Sequence, residues 1–325
     1  MRAYIIRRLL MAIPTLFLLT LLIFVLIHLV PGDIIDAMAG LPAEIAVDRP
    51  MLERQLGLDA PLLVQYGRWM GVWPQMDGGF NGVFQGNLGM SYWRRVPALE
   101  LVSSAWPITL ELGFMGVIIA QLIGLSTGIY SALRQDKWGD YLGRTFAIGC
   151  ISIPNFWVAT LVVIFPAIWW GYMPPIMVIP FTEDPIGNLK MFIVPAIILG
   201  MAMSGSTMRL ARTQVLEVMR QDYIRTAWAK GLTERVVVIR HTLKNALIPL
   251  VTIAGLQTRI LLGGTIIIEK IFVLPGMGRL TFDAFSNRDD LLLSGVTLIF
   301  AVVLVLVNLM VDLTYGFLDP RVRYQ

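Results

Sequence analysis

Residues 222–249 read DYIRTAWAKGLTERVVVIRHTLKNALIP, a polar, basic segment of 28 residues set between two strongly apolar runs. On its N-terminal side lies Met191–Met208, and it runs into Asn245–Ile268, where Arg259 is the only charge. A helix needs about 20 apolar residues to cross the hydrocarbon core of a bilayer. A basic island between two such runs is therefore a loop leaving a membrane, and the chain around it is read on that basis.

The bulk composition agrees. The chain has 325 residues, is 56% hydrophobic and has a mean hydropathy of +0.71, more apolar surface than a soluble core of this size buries. Four further runs reach membrane length: Leu9–Val30, Leu112–Leu133, a stretch from Thr145 that ends as a helix near Trp170, and Leu291–Val311. The prolines Pro154, Pro166, Pro174 and Pro175 mark the region from Thr145 to Thr182 as one helix followed by a proline-rich exit loop. The expected architecture is all-α and polytopic, with six transmembrane helices and both termini on one side.

Lys and Arg decide which side. Residues 1–8, 134–144, 209–244 and 313–325 hold 16 of the 26 basic residues, which places these segments and both termini in the cytoplasm. The net charge of +4 follows from this distribution. The basic residues lie at membrane edges, not along one face among exposed aromatics, so the expected surface is a lipid bilayer and no nucleic acid is involved. Ala37-Met38-Ala39 has the form of a signal-peptidase site, but the preceding run of 22 residues exceeds the 7–15 of a signal sequence, and the first helix is read as retained. Cys150 is the sole cysteine, so no intrachain disulfide forms, and its apolar setting suggests a buried structural thiol. His28 and His241 fall at opposite membrane faces, which excludes a metal site shared between them.

The chain divides into 1–30 (N-terminus and first span), an extracytoplasmic insert at 31–102, a five-helix region at 103–316 carrying the cytoplasmic loop 209–244, and a tail at 317–325. Six prolines and ten glycines make the insert loop-rich, with helices expected near Glu44–Gln55 and Pro61–Trp73. Gly124 and Gly128 have GxxxG spacing and are expected to let helices approach closely.

Within the opening segment, Ile224, Ala227 and Trp228 stand at i, i+3 and i+4 and so share one helical face. Ala227 and Ala229 keep that surface low, and Gly231 stands where a helix ends in a left-handed residue. The apolar group Val236–Ile239 is expected at the membrane surface, and His241 at a helix start. The ordered string Ile224, Arg225, Thr226, Ala227, Trp228, Ala229, Lys230, Gly231 and Leu232, followed by His241, Asn245 and Pro249, exceeds what a generic positive loop requires. It resembles the cytoplasmic loop through which permeases of ATP-binding-cassette importers receive force from their ATPase subunits. The wider family begins this signature with Glu-Ala-Ala and places a proline close to the position of His241. Here those positions read Arg225, Thr226 and Ala227, with the proline at Pro249, as in the dipeptide and oligopeptide branch.

Two stretches of the insert, LGLDAPLLVQYGRWM (56–70) and GNLGMSYWRRVPALELV (86–102), resemble segments of the same branch. So does EKIFVLPGMG (269–278), containing Glu269, Pro275, Gly276 and Gly278, which in that branch closes the outer mouth of the pathway. Pro275-Gly276 suits the two central positions of a type II turn, with Gly276 at positive φ. Arg259 lies 14 residues beyond Asn245, past mid-membrane. It is a candidate for lining the pathway and favouring anionic groups, with an ion pair to a partner and snorkelling as alternatives.

The chain has no GxxxxGK[ST], HExxH or GxSxG string. It is therefore expected to be no enzyme and to carry no cofactor, with ATP and Mg held by partners. The resemblance implies the fold of type I importer permeases, a plasma (inner) membrane location, a second homologous permease, two ATP-binding-cassette subunits and an extracytoplasmic binding protein. Peptide is the expected cargo, with oligosaccharide or nickel as alternatives. A proton-coupled secondary transporter is the reading from another class, and it needs acidic residues within the spans; Glu111 and Asp312 are placed at span ends.

Overall fold

A computed structural model describes residues 2–32, 34–39, 48–172, 175 and 177–318. These residues are predominantly helical, and the only β pairing among them is a lone antiparallel bridge from Met90 to Pro97. In order, the helices are α1 (Arg2–Leu29), α2 (Ile34–Ala39), α3 (Arg49–Leu56), α4 (Leu62–Met70), α5 (Ala98–Leu133), α6 (Trp138–Ser152) and α7 (Asn155–Trp170). There follow α8 (Pro185–Met219), α9 (Asp222–Ala229), α10 (Glu234–Val236), a π-helical stretch Val237–Leu243, α11 (Lys244–Ile271), α12 (Met277–Ser286) and α13 (Asp290–Leu318).

Among the described residues, four helices are long and apolar enough to cross a membrane: Ile6–Leu29, Ala98–Leu133, Pro185–Met219 and Asp290–Val311. Two bent pairs of helices bring the number to six if each pair is counted as one span. The first joins α6 to α7 through an 88° break, and the second bends by 48° between Glu234–Leu247 and Pro249–Gln257. The single helix expected from Thr145 to Trp170 is thus two helices. Pro154, at the N-cap of α7, has no N–H to continue the ladder of α6 and forces Ile153 into extended backbone. Pro249 acts more gently inside α11, where its missing donor and its ring leave a bend. Glu111 lies 13 residues inside α5, away from the helix ends, because α5 begins at Ala98 and runs for 36 residues. Cys150 is half-buried.

The chain forms two compact units, each built from separate stretches of sequence. In the unit Met1–Ile108 with Pro275–Leu306, the insert shares one apolar core with α12 and α13. Phe24, Trp69, Met70, Leu88 and Val102 pack there with Met277, Leu280, Ala284 and Val296. Polar ties close its edges. Ser91 Oγ donates to Asp289 Oδ2 at 2.5 Å, Trp93 Nε1 to the Asn287 carbonyl at 2.7 Å, and Arg288 to the Pro31 carbonyl at 2.7 Å. Inside the insert, α3 is capped by Asp48, whose carboxylate accepts from the Met51 N–H, and α4 follows after Pro61. Part of the first expected helix, residues 44–47, lies outside the described residues.

In the unit Thr109–Leu274 with Val307–Gln325, α5 and α8 touch at their glycines. A Cβ on Gly124 would stand 2.6 Å from Thr207 Cβ, and one on Gly128 2.7 Å from Ala211 Cβ. Only hydrogen fits at these two positions, which is the close approach that GxxxG spacing permits. Beside this seam Gln257 satisfies its buried amide completely. It accepts from Gln121 Nε2 at 2.7 Å and donates to Thr207 Oγ1 at 2.8 Å and to the Met203 carbonyl at 3.2 Å. The network fixes α5, α8 and α11 in register, since an unpaired amide in apolar surroundings costs about 1–3 kcal/mol.

A second polar clasp joins α6 to α8. Asp140 is fully buried and takes a two-pronged contact from Arg212, at 2.8 Å from Nε and 2.7 Å from Nη2, and it also accepts from Ser131 Oγ and the Asp136 N–H. Four donors on one carboxylate compensate the burial of its charge.

Candidate functional site

The opening segment folds as a short helix standing on its own support. Asp222–Ala229 forms α9, and its last turn closes on Gly231, whose φ is +76°. The Leu232 N–H reaches the Ala227 carbonyl at 3.4 Å and the Gly231 N–H reaches the Trp228 carbonyl at 2.9 Å, the paired bonds of a Schellman motif. Leu232 then packs back on the helix beside Ala227. The left-handed residue therefore sits where glycine chemistry demanded it.

The face divides differently from expectation. Ile224 (0% exposed) and Ala227 (6%) turn inward on Val237, with Val218 and Leu232 alongside, while Trp228 is 44% exposed. Burial follows the support beneath the helix, which i, i+3, i+4 spacing alone does not locate. Arg225, Thr226, Trp228, Ala229, Lys230 and Gly231 are left outward. Val237 and Val238, two of the four residues in the group expected at a membrane surface, are buried, and Val237 forms the seat of α9.

Behind α9 the chain winds more widely. Residues 237–243 are π-helical, and Thr242 Oγ1 donates to the Val237 carbonyl five residues back at 3.2 Å. His241 is half-buried inside this stretch and does not start a helix; its carbonyl accepts from Asn245 Nδ2 at 3.3 Å. The same Asn245 amide donates to the Tyr223 hydroxyl at 2.9 Å. Tyr223 thus ties α9 to the start of α11, and sequence reasoning had passed it over. A phenol beside a motif carries no local signal of a partner 22 residues away.

The second motif is split: the boundary between the two units falls between Leu274 and Pro275. On the α11 side Glu269 is fully buried and accepts from Thr109 Oγ1 at 2.8 Å. The helix ends with the Leu274 N–H on the Glu269 carbonyl at 2.9 Å and the Val273 N–H on the Lys270 carbonyl at 3.4 Å. That termination puts Val273 at φ +58°, a conformation rare for a β-branched residue. On the other side Gly276 is the extended N-cap of α12, with φ −89° and ψ −178°. The expected type II turn is therefore absent: the positive φ has moved to Val273, because the helix-ending bonds fix that residue and leave Gly276 to begin α12. Pro275 precedes this cap, and Gly278 is buried in the first turn of α12. The Arg259 side chain lies outside the described residues.

Residues 124–324 match the family model "Binding-protein-dependent transport system inner membrane component", and residues 1–113 match its N-terminal companion. The chain belongs to this family. Over 326 residues it is 37% identical to a protein of Brucella abortus (strain 2308) named as a peptide transport system permease, covering 100% of both chains. The glutathione transport system permease protein GsiC of Salmonella paratyphi A is 37% identical over 322 residues, 99% of each chain. Among solved structures, an inward-facing MetNI methionine ABC transporter aligns with a TM-score of 0.55 at 16% identity, covering 68% of this chain and 97% of the other. At that identity the likeness concerns the fold, which is that of an ABC importer permease. This family member is a multi-pass inner-membrane transport subunit and not an enzyme.

Proposed function

We propose that this permease forms half of the translocation pathway of an importer that carries short peptides, powered by ATP and Mg bound in two partner ATPase subunits. A second permease completes the pathway, and an extracytoplasmic binding protein delivers the cargo. Both termini face the cytoplasm, as the bias of basic residues supports. The observation that carries the cargo reading is the end-to-end likeness to permeases named for peptide and glutathione transport.

The coupling role belongs to α9. Its outward residues Arg225, Thr226, Trp228, Ala229 and Lys230 meet the ATPase. Its inward pair, Ile224 and Ala227, passes displacement to the π-helical stretch through Val237. Asn245 relays it through Tyr223 to α11, whose bend at Pro249 leads toward Arg259. Closure of the ATPases then moves the spans as packed bodies between inward and outward openings. The segment from Glu269 to Gly278 serves as the outer gate, and Arg259 lines the path and favours an anionic group on the cargo.

The test is uptake of labelled dipeptides and tripeptides by the reconstituted complex with its binding protein. Saturable accumulation of peptide, with none of oligosaccharide or nickel, is expected. Accumulation of either alternative without peptide would overturn the cargo assignment.

A further inference from the structure

Helix α6 begins in the basic loop 134–144 and continues into the apolar run from Thr145. It therefore passes the level at which water gives way to lipid in this multi-pass protein. Its inner side packs on α8, with Asp140 and Ala147 buried there. Trp138, Tyr141, Leu142, Thr145, Phe146 and Gly149 follow at i, i+3, i+4, i+7, i+8 and i+11, so they form one stripe along the opposite side. Trp138 is 79% exposed and Leu142 62%, and neither the α9 seat nor the Gln257 network uses this stripe.

The two ends of the stripe offer different chemistry. At the first, Lys137 is the exposed N-cap residue of α6, and the Arg144 guanidinium stands 5.8 Å from the centre of the Tyr141 ring. Among the described residues neither cation is ion-paired, and the carboxylates nearest in sequence are engaged: Asp140 holds Arg212, and Asp136 Oδ2 accepts from Gln135 Nε2 at 3.3 Å. Exposed Trp and Tyr beside such cations at a membrane edge are the side chains that sit among lipid headgroups. At the other end, the 88° break between α6 and α7 leaves a notch of 200 Å³ against α8. Phe146, Gly149, Ile153, Val158, Ile198 and Met201 line it, and Asn155 and Cys150 give it its polar side chains. A Cβ on Gly149 would meet nothing within 4 Å, so the stripe opens into this space. Apolar cavities of this order stay free of water and accept hydrocarbon. Tyr141 stands about 12 Å along the helix from Gly149. An acyl chain covers that length, since half of a hydrocarbon core is about 15 Å deep.

We infer that the outward face of α6 binds a phospholipid with an anionic headgroup. Lys137 and Arg144 take the headgroup, Trp138 and Tyr141 sit at the level of the glycerol backbone, and one acyl chain runs along Leu142 and Phe146 into the notch beside Gly149. The two ends together select a molecule with a negative head and a hydrocarbon tail, which a soluble phosphate ester or an acidic protein segment does not match. Seated there, the lipid bridges α6 and α7 across their break and fills space that side chains leave empty. The inference is independent of the cargo.

The experiment is native mass spectrometry of the assembled transporter in detergent, titrated with phosphatidylglycerol or with phosphatidylcholine of the same acyl chains; the mass of the complex reports its assembly in the same spectrum. Phosphatidylglycerol should fill a saturable site with a preference of about tenfold or more over phosphatidylcholine, since each cation near a headgroup contributes about fivefold. Lys137→Gln together with Arg144→Gln should cut that preference to about twofold or less, with the complex still assembled. Gly149→Leu fills the notch and should weaken binding of both lipids about equally, leaving their ratio as it was. Glycerol 1-phosphate, the head without the tails, should not compete. A preference that survives the double change, the lack of any saturable binding because another subunit covers α6, or full competition by glycerol 1-phosphate would each overturn the site. Undiminished binding of both lipids in Gly149→Leu would overturn the place of the acyl chain.

Discussion

Gly231 isolates the proposed coupling geometry from the rest of the fold. It holds φ +76° at the end of α9, and nothing lies within 4 Å of a Cβ placed there. A side chain at this position meets no neighbour, so Gly231→Val acts on the backbone alone. Left-handed backbone costs an L-residue about 1–2 kcal/mol, and a β-branched residue stands at the upper end. That strain opposes the two closing bonds, Leu232 N–H to the Ala227 carbonyl and Gly231 N–H to the Trp228 carbonyl. It shifts the balance between closed and frayed ends by roughly 5- to 30-fold. Ile224 and Ala227 remain seated on Val237, so the helix keeps its anchor. The expected result is normal membrane insertion and assembly, with ATP-driven uptake lowered by about an order of magnitude. Asn, which tolerates left-handed backbone, should fall between Gly and Ala, and Val should be worst. Uptake by Gly231→Val at the wild-type rate, with α9 intact, would refute the reasoning. Failure of the variant to insert would refute the claim that the strain stays local.

Other expectations follow from the packing. Tyr223→Phe removes the 2.9 Å bond from Asn245 and should lower uptake several-fold through the loss of about 1 kcal/mol, with the melting temperature of the purified complex unchanged. Gly128→Leu drives a side chain into Ala211 Cβ and the Met208 carbonyl, each 2.7 Å from the position of its Cβ, and should lower the melting temperature in detergent through about 1–3 kcal/mol of overpacking. Gly149→Ala, where nothing lies within 4 Å, should not. Asp140→Asn leaves Arg212 without its partner at a buried site and should cost about 3–5 kcal/mol. The double change Asp140→Asn with Arg212→Gln should recover part of that loss in the same melting assay.

The spans were legible because a membrane asks for little beyond a run of apolar residues, and Leu9–Val30 or Leu291–Val311 meets that demand without knowledge of neighbours. The break at Pro154 was not, since an apolar run reads the same whether it is straight or turned through 88°. Gly231 was legible because few residues occupy left-handed backbone without strain. Gly276 misled for the converse reason: its freedom permits a positive φ but does not require one, and the bonds ending α11 placed that φ on Val273. The inward turn of Ile224 and Ala227 depended on where Val237 lies, and the role of Asn245 on Tyr223. Both are tertiary facts that no periodicity encodes.

The central claim is that power enters this permease from ATPase subunits and not from an ion gradient. The most direct measurement is peptide uptake into proteoliposomes containing the full complex, with ATP available to the ATPase subunits or with a proton gradient alone. The account predicts uptake that requires hydrolysable ATP, persists when the proton gradient is collapsed, and vanishes with a non-hydrolysable analogue. Accumulation driven by the proton gradient in the absence of ATP would contradict it.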